Sequence, residues 1–141
     1  MKNTLLLACL LWMANLAWGQ SLTVTVTGIR SSKGNIRLAF YTSAKNFKDD
    51  KPLMMKTVSK AGMKDGTLSV TYKSLSAGLY GVALLDDENA DQEMNYYLLL
   101  PTEGFGFSDY YHTGMSHPSF DQFDFYLKQE PKTVKIRVRY M

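Results

Sequence analysis

The sequence predicts an all-β fold, a single antiparallel β-sandwich of immunoglobulin- or transthyretin-like type with about seven strands. Three observations carry this. Apolar and polar residues alternate with period two in several short runs. Gly-containing turn signals separate the runs, and no stretch sustains a helical period with caps.

In chain order, Leu22, Val24 and Val26 alternate with Thr23, Thr25 and Thr27, and Gly28 ends that strand. Ser32-Lys33-Gly34-Asn35 fits a hairpin turn into the next run, Ile36, Leu38 and Phe40. From Ser43 to Met63 the chain reads as a loop around Phe47, then an edge strand near Met54 to Val58. Lys64-Asp65-Gly66 fits a second hairpin turn, before Leu68, Val70 and Tyr72. Leu79 to Leu85 is apolar on both faces, the mark of a central strand. Phe123, Phe125 and Leu127 form a short alternating run, and Val134, Ile136, Val138 and Tyr140 form the last. A small barrel is the alternative closure. The cysteine and tryptophan marks of true immunoglobulin domains are missing, since Cys9, Trp12 and Trp18 all precede Gln20.

The N-terminus reads as a secretory signal peptide, residues 1–19. Lys2 is a positive start, Leu5 to Leu11 an apolar run, and Ala17 and Gly19 the small residues before cleavage. Cleavage after Gly19 leaves Gln20 first and a β-sandwich domain over 20–141. An uncleaved anchor would need a longer apolar run, and a lipoprotein reading places Cys9 too early in it. The expected location is secreted or periplasmic, with no transmembrane segment after cleavage. About 120 residues then remain, enough for one domain. Cys9 is the only cysteine, so the mature part has no disulfide, thiolate catalysis or cysteine metal site. The formal charge of the whole chain is +3, too mild to imply nucleic acid.

Strand alternation breaks down between Asp86 and Phe120. A long connection rich in acids and aromatics is where function is sought first. Asp87, Asn89 and Asp91 stand at positions one, three and five of a tight loop, with Glu93 and Asn95 as further oxygens. Alternate oxygen ligands of this kind wrap calcium, a hard cation wanting six to eight oxygens. Two features depart from the pattern of such loops: Gln92 stands where a glycine is expected, and Leu98 where a bidentate Glu is expected. The plain alternative is a polar loop whose side chains cap its own backbone.

Glu103 is a candidate binding residue, either a general acid or base with Asp86 or Asp109, or an acceptor for amides of a turn. Gly104 and Gly106 beside it are expected to permit unusual backbone angles. His112 and His117 suggest a metal pair with Asp109 or Asp121. Tyr110 and Tyr111, next to His112, are the tyrosines expected to be exposed, suited to a glycan or protein partner in the cell envelope. No nucleophile elbow, phosphate loop or zinc-protease pattern is present.

One further pattern runs through the chain: Leu75, Gly78, Tyr80 and Gly81-Val82-Ala83; Asp87, Asn89, Asp91 and Asn95; Pro101 and Glu103 to Ser108; then Pro118 and Phe120. In this it resembles the domain of unknown function family 2141, found in exported bacterial proteins. The resemblance implies a β-sandwich and an envelope location, and no established activity. Three functional expectations follow. The first is a non-catalytic exported binding module using the 86–120 face, stabilised by calcium. The second is an envelope hydrolase or metalloenzyme using Glu103 with Asp86, Asp87 or His112. The third is a structural domain that assembles by edge strands.

Overall fold

The computed structural model describes residues 20–141; the signal peptide expected over 1–19 lies outside the described residues. Strands β1 (Ser21–Thr27), β2 (Asn35–Tyr41), β3 (Met54–Ser59), β4 (Leu68–Lys73) and β5 (Gly78–Asp87) appear where the alternation placed them. After β5 come two short strands, β6 (Tyr96–Tyr97) and β7 (Leu100–Pro101), then β8 (Gly104–Phe107), β9 (Asp124–Leu127) and β10 (Lys132–Arg137). The expected loop around Phe47 contains a five-residue helix, α1 (Ala44–Lys48). Ser43 caps it by accepting the Asn46 N–H, and it is too short to show a helical period.

The strands form two layers. One sheet has the order β10-β1-β4, and the other β3-β2-β5-β8, with β9 also on β5. All pairs are antiparallel except β1–β10, which is parallel. Past β10 the chain crosses to the second sheet, where Phe105 N–H and Arg139 N–H each donate to the other's carbonyl, at 3.0 and 2.8 Å. That bridge closes one side of the sandwich.

The turn at Gly34 does not make a hairpin, because β1 and β2 belong to different sheets. The segment between them is a crossover instead. Lys60 pins it from inside, its ammonium donating to the carbonyls of Ser31 (3.0 Å) and Lys33 (2.6 Å). Gly34 has φ +67, and a Cβ there would lie 1.9 Å from the Asp87 carbonyl oxygen. The turn at Asp65 and Gly66 does form as expected. Both residues take positive φ, and Lys64 pairs with Thr67.

Between the layers lies the main core. Leu22, Val24 and Val26 from β1 and Val134 and Ile136 from β10 face Ile36, Leu38 and Phe40 from β2 and Val82 and Leu84 from β5. Each such side chain contributes about 1.5–3 kcal/mol on burial, so this cluster dominates the favourable side of folding. A second cluster covers the outer face of the larger sheet: Tyr41, Phe107, Phe120 and Phe123, with Phe47 packed on them. Phe47 meets Phe123 edge to face at 4.9 Å and Tyr41 at 5.1 Å. β5 is apolar on both faces because it has a core on each side.

Candidate functional site

The site is built where β5 ends. Asp87, the last residue of β5, is buried, and its two carboxylate oxygens accept the N–H groups of Asp91 (3.1 Å) and Gln92 (3.0 Å). The loop folds back over this carboxylate by taking left-handed backbone at Ala90 (φ 59) and Gln92 (φ 71). Gln92 therefore adopts the conformation expected of a glycine at that position. Arg37, on β2, donates to the Gln92 carbonyl at 2.9 Å and holds the loop from the side.

Asp91 forms the next layer. Its carboxylate accepts the Glu93 N–H at 2.9 Å and the amide groups of Asn89 and Asn95, both at 2.9 Å. The hydrogen bonds to the charged form hold its pKa below the usual carboxylate range. Asn89 accepts the Asp91 N–H and donates to Asn95. Glu93 contributes its backbone N–H; among the described residues its carboxylate joins no metal-competent cluster.

Glu103 completes the site. It is buried, and accepts the N–H groups of Glu88 (3.1 Å) and Asn95 (3.4 Å). Register explains its position: Asp86 pairs with Gly104 across β5 and β8, so Glu103 is carried to the base of the acidic loop. Oxygens of Asp87, Asp91 and Glu103 lie within 4.8 Å of one another. Desolvation, with Asp87 close by, pushes the Glu103 carboxyl up, although backbone N–H groups oppose that. Among the described residues no Lys or Arg pairs with these three carboxylates. The nearby cations are committed elsewhere, Lys60 to Asp86 and Arg30 to Glu88 at 2.7 Å. Glu88 is held below its usual range by that Arg30 contact. Three carboxylates with two flanking amides are of the ligand type that a hard divalent cation takes, and Glu103 adds one carboxylate from outside the loop.

Gly104 and Gly106 serve a different purpose from the one expected, since neither has positive φ. A Cβ at Gly104 would lie 2.4 Å from Tyr140 and 2.5 Å from Val138; at Gly106 it would lie 2.6 Å from Ile136. The glycines let β8 press against the last strand. Ser108 is likewise structural: its hydroxyl accepts the Val82 N–H at 2.9 Å and donates to the Phe123 carbonyl at 2.7 Å.

The other candidates lie elsewhere. His112 stacks edge to face on Phe107, at the far end of β8 from Glu103, and its Nε2 meets the Ser116 carbonyl. Among the described residues no metal-competent cluster includes His112 or His117. Tyr110 is half-buried rather than exposed: it packs on the second cluster, and its hydroxyl accepts from Gln122 at 3.0 Å. Tyr111 is exposed as expected, with the Arg137 guanidinium 4.8 Å above its ring. Asp86 is consumed by Lys60 and by the Tyr140 hydroxyl.

Two features escaped the sequence reading. A groove of about 950 Å³ runs over the outer sheet face, floored by Ala83 and Phe105 and walled by Phe47, Leu99, Leu100 and Met115. Beside it the β6–β7 hairpin stands out with Leu98 and Leu99 at its tip. The signal for the hairpin was the run Tyr96 to Pro101, six residues without a charged or amide side chain amid a polar stretch. The groove had no signal, because its walls come from three separate segments.

Fold and site together define an all-β sandwich with an acidic, glycine-supported end. The family of uncharacterized proteins conserved in bacteria, domain of unknown function 2141, matches residues 24–135, and the chain belongs to it. No curated protein and no solved structure matches. Among the described residues no helix is long and apolar enough to cross a membrane.

Proposed function

We propose that this chain is a non-catalytic exported module of the cell envelope that acts by binding through the 86–120 face, with Asp87, Asp91 and Glu103 holding a calcium ion. One observation carries the calcium reading: three carboxylates within 4.8 Å of one another, one of them with a raised pKa, and no basic side chain paired to any of them. Crowded carboxylates repel, and a divalent cation is the partner that removes the repulsion. Asn89 and Asn95 stand beside Asp91 and would turn their amide oxygens inward. What supports binding over hydrolysis is that, of the partners expected for Glu103, Asp86 is locked in an ion pair, His112 lies at the far end of β8, and Asp87 is held by the loop N–H groups of Asp91 and Gln92.

The test is thermal melting of residues 20–141 in excess EDTA and then in millimolar calcium. A ligand bound only by the folded state raises stability by about 2.7 kcal/mol at a hundred times its dissociation constant. A calcium-dependent rise that Asp91→Ala abolishes supports the reading. No shift retires it and leaves the loop as a self-capped turn.

A further inference from the structure

We propose that the β6–β7 hairpin is a membrane-insertion element whose tip enters a lipid surface. The inference names the partner of the face described above; it rests on that face being a binding face and does not require calcium.

Four residues in sequence are bare: Tyr96 is 59 % exposed, Tyr97 70 %, Leu98 79 % and Leu99 93 %. Leu98 and Leu99 occupy the turn with φ 47 and φ 70, the positions that asparagine and glycine favour in a two-residue hairpin. The chain thus accepts both backbone strain and apolar exposure at one point, which is anomalous for a turn meant to face water.

The geometry selects the occupant. Successive strand residues point to opposite faces, and Tyr96 and Tyr97 are both exposed, so both faces of the ribbon and its tip are uncovered. A protein partner or a second copy covers one face of such a ribbon, whereas a lipid surface takes both faces and the tip together. Polarity is also graded along it. The leucines are outermost, the pairs Tyr97–Leu100 and Tyr96–Pro101 follow, and the polar rung where Thr102 donates to Asn95 lies at the base. Apolar tips with tyrosine behind them match the order of hydrocarbon, interface and water. Two residue pairs and a turn reach about 7–10 Å, comparable to the roughly 5–10 Å depth of interfacial insertion. Met115, also exposed, supplies a second apolar point across the groove.

Charge near the hairpin is mixed. The groove beside the hairpin is lined by one Lys and one Asp, Lys48 and Asp50. Asp50 accepts the Tyr41 hydroxyl at 2.7 Å, while Lys48 makes no ion pair among the described residues. At the hairpin base the carboxylates of Asp87, Asp91 and Glu103 are without a basic partner among the described residues, so the apolar tip and not charge selects the lipid surface.

Residues 20–141 hold both core clusters and no tryptophan, so Leu99→Trp makes a single-tryptophan reporter. Vesicles of phosphatidylcholine with phosphatidylglycerol should blue-shift its emission and carry the protein down on sedimentation. Leu98→Asn with Leu99→Gly gives the turn its preferred residues, so melting temperature should hold or rise while vesicle binding falls by at least about tenfold. Equal binding by the Asn-Gly variant, or no blue shift, overturns the proposal. So does a dimer in light scattering that the Asn-Gly variant dissolves, because a second copy then covers the tip. Vesicle binding in EDTA without any calcium effect on melting would sustain insertion and sink the calcium reading, so the two fail separately.

Discussion

Lys60 and Asp86 form an ion pair inside the sandwich, with side chains 1 % and 0 % exposed. Lys60 follows β3 and Asp86 lies near the end of β5, and the Tyr140 hydroxyl donates to the same carboxylate. The pair ties three segments together: the β1–β2 crossover through Lys60, β5 through Asp86, and the C-terminus through Tyr140. Such a pair adds little net stability, since desolvation offsets attraction, but breaking it is costly. Asp86→Ala should therefore lose about 3–5 kcal/mol in urea unfolding. Replacing both partners, Lys60→Met with Asp86→Leu, should lose much less. A double variant as unstable as the sum of the singles would show that the two do not act as a unit.

Asp87 and Asp91 should separate in their roles. Asp87 is buried and anchors two loop amides, so Asp87→Ala should cost about 1–3 kcal/mol even in EDTA. Asp91 is exposed, so Asp91→Ala should cost less than Asp87→Ala in metal-free melting while abolishing the calcium-dependent rise. The comparison is made by melting both variants with and without calcium.

The Glu103 carboxyl is pushed above its ordinary range by burial and by Asp87. An acid whose folded pKa is raised contributes stability below its unfolded pKa and loses it as pH rises through the folded one. Metal-free protein should therefore gain from Glu103 as pH falls toward the carboxylate range. Glu88 acts with the opposite sign, and its stabilisation is lost as pH falls through its lowered pKa. Because the Arg30–Glu88 pair is partly exposed, its share is under about 1 kcal/mol. Carbon-detected titration of Glu103 should give a midpoint above the ordinary value in EDTA and below it in calcium. A midpoint unmoved by calcium would remove Glu103 from the metal site.

Three tyrosines should ionise late. Burial pushes Tyr72 up to about 12. Tyr41 and Tyr140 go higher, through burial and through the hydroxyls they donate to Asp50 and Asp86. Each raised pKa makes the folded state hold its proton more tightly, so stability declines from about pH 10 upward. Absorbance titration should show three of the nine tyrosines ionising only as the fold is lost.

Gly106→Ala should destabilise by at least about 1–3 kcal/mol, because the added carbon would lie 2.6 Å from Ile136 Cγ2 and 3.0 Å from the Arg137 carbonyl. Chemical denaturation of the single variant checks this. A neutral result would mean that β8 is free to move away from the last strand.

Side-chain alternation is local, and it made most strands legible, although not β6, β7 or β8: Leu22-Val24-Val26 or Ile36-Leu38-Phe40 can bury one face only as a strand. The sequence by itself also determined β5 as central and Asp87, Asn89 and Asp91 as a clustered loop. Pairing was decided by the tertiary structure. Gly34 reads as a hairpin turn, yet β1 leaves for the other sheet, a choice made by the parallel partner β10 and the buried Lys60. The reason for Gly104 and Gly106 lies in Tyr140, Val138 and Ile136, which are distant in the chain. Glu103 joins Asp87 and Asp91 only because β8 pairs with β5 in one register. Hydrophobic periodicity fixes which face of a strand is buried; only the packing of distant segments fixes which acids meet.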